Sequence, residues 1–143
     1  DTLPLELTTW KDWLTRYPRT KVLSPNTGFD KDYGRNPYAR YFRRPQLMFP
    51  VRPVSNALPA KTPVLGVWTA DAARAYTVAA LANGPNKIED SVGDRGVTIE
   101  FSRAANTLRV TDAEEGVNWM YSFWFAWYAF RPHTDMYQPR TDN

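Results

Sequence analysis

Arg35, Arg40, Arg43, Arg44 and Arg52 are interleaved with Tyr33, Tyr38, Tyr41 and Phe42. Guanidinium forks beside ring faces suit phosphate, carboxylate or single-stranded nucleic acid. They suit a protein interface equally, where Arg and Tyr are enriched. The bland reading is a solvated basic loop, its arginines stacked on rings or paired with Asp30, Asp32, Glu114 and Glu115. Tyr33, Arg35, Tyr38, Arg40, Tyr41, Arg43 and Arg44 are the candidate interface or ligand residues.

The other chemistry-bearing residues fit no catalytic or metal-binding template. Asp30, Asp32 and Asn36 in DKDYGRN imitate the start of a calcium loop. Gly34 stands at the fifth ligand position, Arg35 where the turn needs glycine, and Tyr41 where the closing glutamate belongs, so the segment reads as an ordinary turn. His133 is the sole histidine and sits in a polar tail two residues before Asp135. A general base needs a positioned partner, and a transition-metal site normally wants a second histidine. No serine occupies a nucleophile elbow. The carboxylates Asp90 and Asp94, and Asp112 with Glu114 and Glu115, cluster where turns are expected rather than across a cleft. Exposed Trp and Tyr could stack on sugars without catalysis. The sequence implies no catalytic residue, no cofactor and no metal.

The element that must position these residues is Gly116–Arg131, GVNWMYSFWFAWYAFR, with eight aromatics between Trp119 and Phe130. Its uninterrupted apolar part is about a dozen residues, short of the roughly 20 of a spanning helix. It reads as the buried organiser of the fold, with Trp119, Phe123, Trp124, Trp127 and Phe130 as its aromatic core. Aromatic content favours strand, whereas length, Ala126, Ala129 and the stop before Pro132 favour helix; helix is the expectation. The functional alternative is an aromatic wall for a ligand or partner.

Upstream, Leu3–Leu7 is extended, and Thr8 or Thr9 caps a short helix to about Arg16. Trp10, Trp13, Leu14 and Tyr17 fall on one face, expected to meet the core. Lys21–Leu23 reads as a short strand. The rest of 21–63 holds most of the twelve prolines and reads as long ordered loop, too aromatic for a flexible linker. Val64–Thr69 is a strand. Ala73–Val78 is a second strand followed by a helical turn over Ala79–Asn83; alternatively Asp71 caps a helix over Ala72–Ala82. Val97, Ile99 and Phe101 alternate with Thr98 and Glu100, and Leu108 and Val110 with Arg109 and Thr111. That pattern predicts an antiparallel hairpin turning over Ser102–Thr107. Residues 132–143 read as a surface tail.

The expected fold class is α+β, mainly antiparallel or mixed sheet with short helices and long ordered loops. At 143 residues and 43% hydrophobic, the chain suits one domain with a real core, residues 1–143. Cysteine is absent, which excludes disulfides, thiolate catalysis and zinc–cysteine sites. A net charge of +3 does not by itself imply nucleic acid. The chain opens on Asp1, so it reads as a mature, processed or excised product.

The blocks ELTTWKDWLTRYPRTKVLSPNTGF, DYGRNPYARYF, LMFPVRP, VLGV, ARAY and FWFAWYAF, spread from Glu6 to Phe130, resemble the DUF3179 family of bacteria and archaea. The resemblance implies an extracytoplasmic location, since such proteins are typically exported, often as lipoproteins. It also implies a full-length protein of two related halves, in which VLGV…ARAY…TLRV over Val64–Val110 is similar to the later copy. The partners implied are a protein or a missing N-terminal half, with nucleic acid disfavoured for an exported protein. No transmembrane segment is present in this chain; anchoring would lie elsewhere. The family brings no established activity. Two features depart from it: nothing here matches the Cys-Pro segment of many members, and the His-Pro that often follows the aromatic block is replaced by Arg131-Pro132-His133.

Overall fold

The computed structural model describes residues 3–139. Two sheets and one helix make three layers. The first sheet has the order β6-β1-β2-β7, from β1 (Pro63–Trp68), β2 (Ala73–Tyr76), β6 (Asn118–Phe123) and β7 (Asp135–Met136). The second is β3-β4-β5, from β3 (Lys87–Val92), β4 (Arg95–Ser102) and β5 (Thr107–Ala113). The helices are α1 (Trp10–Arg16), α2 (Ala39–Phe42), α3 (Val78–Leu81) and α4 (Trp124–Phe130). This is the α+β class that the sequence predicts.

Strand alternation builds the layers. In β1, Leu65 and Val67 point to the core shared with the second sheet, where they join Tyr76, Val92, Val97, Ile99, Phe101, Leu108 and Tyr121. Val64, one residue out of phase, faces the other way and packs with Ala75, Trp124 and Trp127 under α4. Gly66 shares that second face. A Cβ there would overlap the Trp127 ring, so only glycine lets the indole lie against the strand.

The hairpin appears as predicted, with Ile99 opposite Val110 and Phe101 opposite Leu108. Thr9 caps α1, its hydroxyl accepting from Asp12 N–H at 3.2 Å. The strand-then-turn reading of 73–83 holds over the single-helix alternative, because Thr77 is extended and caps α3.

Four expectations need correction. The aromatic element is not one helix: Asn118–Phe123 is strand β6, paired along all of β1, and the chain turns helical only at Trp124. An all-apolar run conceals that change of period. No side chain caps α4; the carbonyls of Thr62 and Ala60 accept from Trp124 and Phe125 N–H, both at 2.9 Å. Phe130 leaves the core, 87% exposed, since it follows the last buried turn. Lys21–Leu23 forms no strand, having no partner to pair with. The polar tail contributes β7, which adds parallel to β2 while Tyr137 stacks on Tyr76 at 5.2 Å between centroids. The tail reading of 140–143 lies outside the described residues.

The apolar face of α1 is covered only in part. Trp10 and Tyr17 are each about half exposed, and no residue of α1 is fully buried. Polar contacts hold the helix instead. Arg16 pairs with Glu6 and, at 2.9 Å, with Asp12. Leu5 bridges Met120, and Thr107 donates to the Leu7 carbonyl.

Candidate functional site

Residues 21–62 form a strap over one edge of this body. Short polar turns shape it. Asp32 Oδ1 accepts from Gly34 N–H at 3.0 Å, and Asn36 Oδ1 from Tyr38 N–H at 2.9 Å. Those two bonds are Asx turns, so the calcium-like spelling encodes backbone geometry. Among the described residues no group of three or more His, Cys, Asp or Glu side chains could hold a metal ion.

α2 then carries the aromatic and basic side chains. Phe42 rests on Phe123 of β6, 5.8 Å between centroids, and is flanked by Tyr41 at 5.5 Å and Tyr38 at 6.5 Å. Beneath them the Lys61 ammonium donates to the carbonyls of Tyr41 and Arg44 at 2.6 Å and of Gln46 at 2.8 Å. The same ammonium lies 3.4 Å from the Tyr41 ring centroid. Three carbonyls converging on one cation satisfy the chain just after α2, and Lys61 stands two residues before β1. It ties the α2 part of the strap to the strap's own last residues, next to β1.

The structure brings Tyr38, Arg40, Tyr41, Arg43 and Arg44 together on and beside α2. Tyr33 and Arg35 lie on the preceding turns, where the Tyr33 hydroxyl bonds Thr27 at 2.8 Å. Arg35, Arg40, Arg43, Arg44 and Arg52 are exposed. Among the described residues none of them pairs with a carboxylate, so the expected partners Asp30, Asp32, Glu114 and Glu115 are not engaged by them. Fourteen of the fifteen exposed large hydrophobic side chains described lie between Leu3 and Val54. Phe29 and Phe49 (each 74%), Met48 (57%), Tyr38 (53%) and Phe42 (51%) lie in the same stretch of chain as the arginines.

A second polar site escaped sequence reasoning. A cleft of about 820 Å³ opens between α3, β3 and β7, with Asp90 and Arg74 in its wall. The Asp90 carboxylate accepts from Arg74 Nη1 at 2.9 Å, from the Tyr76 hydroxyl at 2.8 Å and from Ser91 N–H at 2.8 Å. Burial pushes the Tyr76 phenol far above its ordinary range, and the Asp90 carboxylate pushes it further. The phenol stays protonated, and the trio locks one sheet to the other. Asp90 is thus a strand residue, whereas Asp94 occupies a turn, beside Arg95 at 3.4 Å. The tyrosine at position 76 and Arg74 lay in plain view; their meeting with Asp90 depends on β3, which no local pattern announces. Asp112 and Glu114 line a shallow groove with Glu89 and Asp90. His133 is exposed, as expected, in the turn after α4.

A family model described as a protein of unknown function (DUF3179) matches residues 1–134. No curated protein and no solved structure matches the chain.

Proposed function

Because this chain belongs to the DUF3179 family, whose function is unknown, we propose from its own geometry that it is a non-catalytic accessory module acting through protein contacts. The contact surface is the strap around α2, with Arg35, Arg40, Arg43 and Arg44 as charged anchors and Tyr33, Tyr38 and Phe42 as rings. One observation carries this reading: exposed apolar side chains and unpaired arginines are concentrated in the same stretch. Contiguous exposed apolar surface rimmed by charge is the mark of an interaction site. An arginine–aromatic surface has the composition of an interface core. In this reading the module works outside the cytoplasm, as its similarity to exported proteins suggests. Its partner is another protein, or the related half that the likeness of Val64–Val110 to a later copy implies.

The test is the double variant Arg43→Glu/Arg44→Glu in the full protein. Native mass spectrometry should show the assembly weakened about tenfold or more, while circular dichroism keeps the folded spectrum; desolvated arginine anchors at interfaces typically carry 2 kcal/mol or more. An assembly of unchanged affinity overturns the reading.

The cleft walled by Arg74 and Asp90 supports a second reading. It is a ligand-binding or enzymatic domain whose site a missing half completes. Its signature is a small excess mass on the single chain in the same spectrum.

A further inference from the structure

Four arginines are half-buried among the described residues: Arg16, Arg74, Arg109 and Arg131. Three face carboxylates. Arg16 has Glu6 and Asp12, Arg74 has Asp90, and Arg109 has Glu100 at 2.6 Å. Arg131 has none. Its guanidinium makes no hydrogen bond or ion pair with any described residue, and its partial burial presses its pKa downward. Partly burying a cation without an anion is unfavourable, and folds seldom leave one so.

The surroundings fix this guanidinium in place. Arg131 N–H donates to the Trp127 carbonyl at 2.9 Å and ends α4; Thr134 N–H donates back to the Arg131 carbonyl at 3.1 Å and closes the turn. The guanidinium carbon lies 4.3 Å from the Trp68 ring centroid and 5.5 Å from that of Trp127. Stacking over an indole spends the π-face and leaves the in-plane N–H fork free. That fork geometry matches a planar carboxylate through two parallel bonds.

Between the 69–73 turn and the 130–134 turn lies a small pocket of about 210 Å³, and Arg131 is in its wall. Thr69 Oγ1 accepts from Ala72 N–H at 3.1 Å, which leaves its hydroxyl proton available. Thr134 Oγ1 is already engaged, accepting from Trp127 Nε1 at 3.0 Å and facing the Asp135 carbonyl at 3.2 Å. Phe130, 87% exposed, supplies an apolar wall, and His133 and Asp71 also line the pocket. The Asp71 carboxylate opposes any anion, a doubly charged phosphate more than a monoanion.

We infer that this turn pocket binds the carboxylate of a small organic acid or of a peptide C-terminus, with Arg131 as the bidentate anchor, Thr69 as a second donor and Phe130 against the apolar part of the ligand. The inference does not rest on the strap reading, because it uses no residue of the strap.

The test is a nuclear magnetic resonance titration of the full chain, following the Arg131 side-chain N–H and the Trp68 and Trp127 indole N–H signals. The probes are benzoate, its neutral isostere benzamide, the peptide acid N-acetyl-Ala-Phe and inorganic phosphate. Saturable shifts are expected with benzoate or the peptide acid, with benzamide and phosphate weaker by about tenfold or more, the scale of a charge-assisted pair. Whichever acid saturates first identifies the source. In Arg131→Lys, which keeps the charge and loses the fork, binding should again fall about tenfold. The inference is overturned if no acid saturates, if benzamide matches benzoate, or if the lysine variant binds as the parent does. The comparison of benzoate with benzamide needs no variant, so it stands even if position 131 proves essential to folding.

Discussion

Trp119–Phe130 and Tyr33–Phe49 are both crowded with aromatic residues, yet one organises the core and the other lies on the outside. Trp124 and Trp127 keep 2% and 3% of their surface, whereas Phe49 keeps 74%. The difference is backbone, not side chain. β6 has β1 to pair with over its whole length, and α4 follows directly, so the peptide groups that face β1 are paired along the whole strand. The strap has prolines at 25, 37, 45, 50, 53 and 59 and forms only one turn of helix before β1. With its peptide groups dependent on local turns and water, it cannot be taken inside, and its rings remain exposed. Aromatic content thus measures what a segment could bury, and backbone pairing decides whether it does.

That contrast can be broken by substitution, and the largest effect belongs to the body. Trp124→Ala should cost about 3–5 kcal/mol, as for other buried large-to-small changes. Phe49→Ala in the strap should stay within about 0.5 kcal/mol. Chemical denaturation of both variants decides the matter; comparable losses would mean that the strap belongs to the core. Gly66→Ala comes next. It adds one methyl group where the Trp127 indole lies, and overpacking of this kind costs about 1–3 kcal/mol or more. Thermal unfolding would check it, and Gly66→Ala combined with Trp127→Leu should recover part of the loss by making room.

The Lys61 tie within the strap gives an intermediate effect. Lys61→Met keeps the aliphatic stem and removes the cation shared by three carbonyls. Those carbonyls can recover water, so the global cost should be only about 1–2 kcal/mol. The local cost should be larger: hydrogen exchange and proteolysis should accelerate over 41–50 while β1 and β6 stay protected. Uniform acceleration would show instead that strap and body unfold as one unit.

What the sequence disclosed follows the same line. The 97–111 hairpin and α1 with its Thr9 cap were legible because they alternate or are capped within their own few residues, and the strand at 63–68 as a short apolar run. β3 was not: in Lys87–Val92 only Ile88 and Val92 are buried, four apart, and Glu89, Asp90 and Ser91 are poor strand formers. Its partner β4 imposes the extended form, with Ile88 set against Ile99. The two residues of β7 are likewise a strand only because β2 offers an edge. At the candidate site the basic and aromatic residues of the strap were visible by composition. The unpaired state of Arg131 was not, since it depends on two tryptophans from different elements and on what fails to reach them.

The smallest expected effect tests whether α1 belongs with the strap or with the body. Asp12 accepts from the Thr8 hydroxyl at 2.7 Å and from Arg16 at 2.9 Å. The Thr8 hydrogen bond first, and the Arg16 guanidinium after burial is set against it, hold the Asp12 carboxyl below its ordinary value of 3.8. A carboxyl whose folded pKa is depressed binds fewer protons folded than unfolded, so its contribution is present above the unfolded value and fades as pH falls through the folded one. The docking of α1 should therefore loosen below about pH 4, seen as a change in Trp10 and Trp13 fluorescence before the body unfolds. The site is near the surface, so solvent and salt screen it and the effect should shrink at high ionic strength. Asp12→Asn should remove this early transition and leave the later one in place. If the variant keeps the early transition, the Asp12 carboxylate is not what holds α1 to the body at low pH.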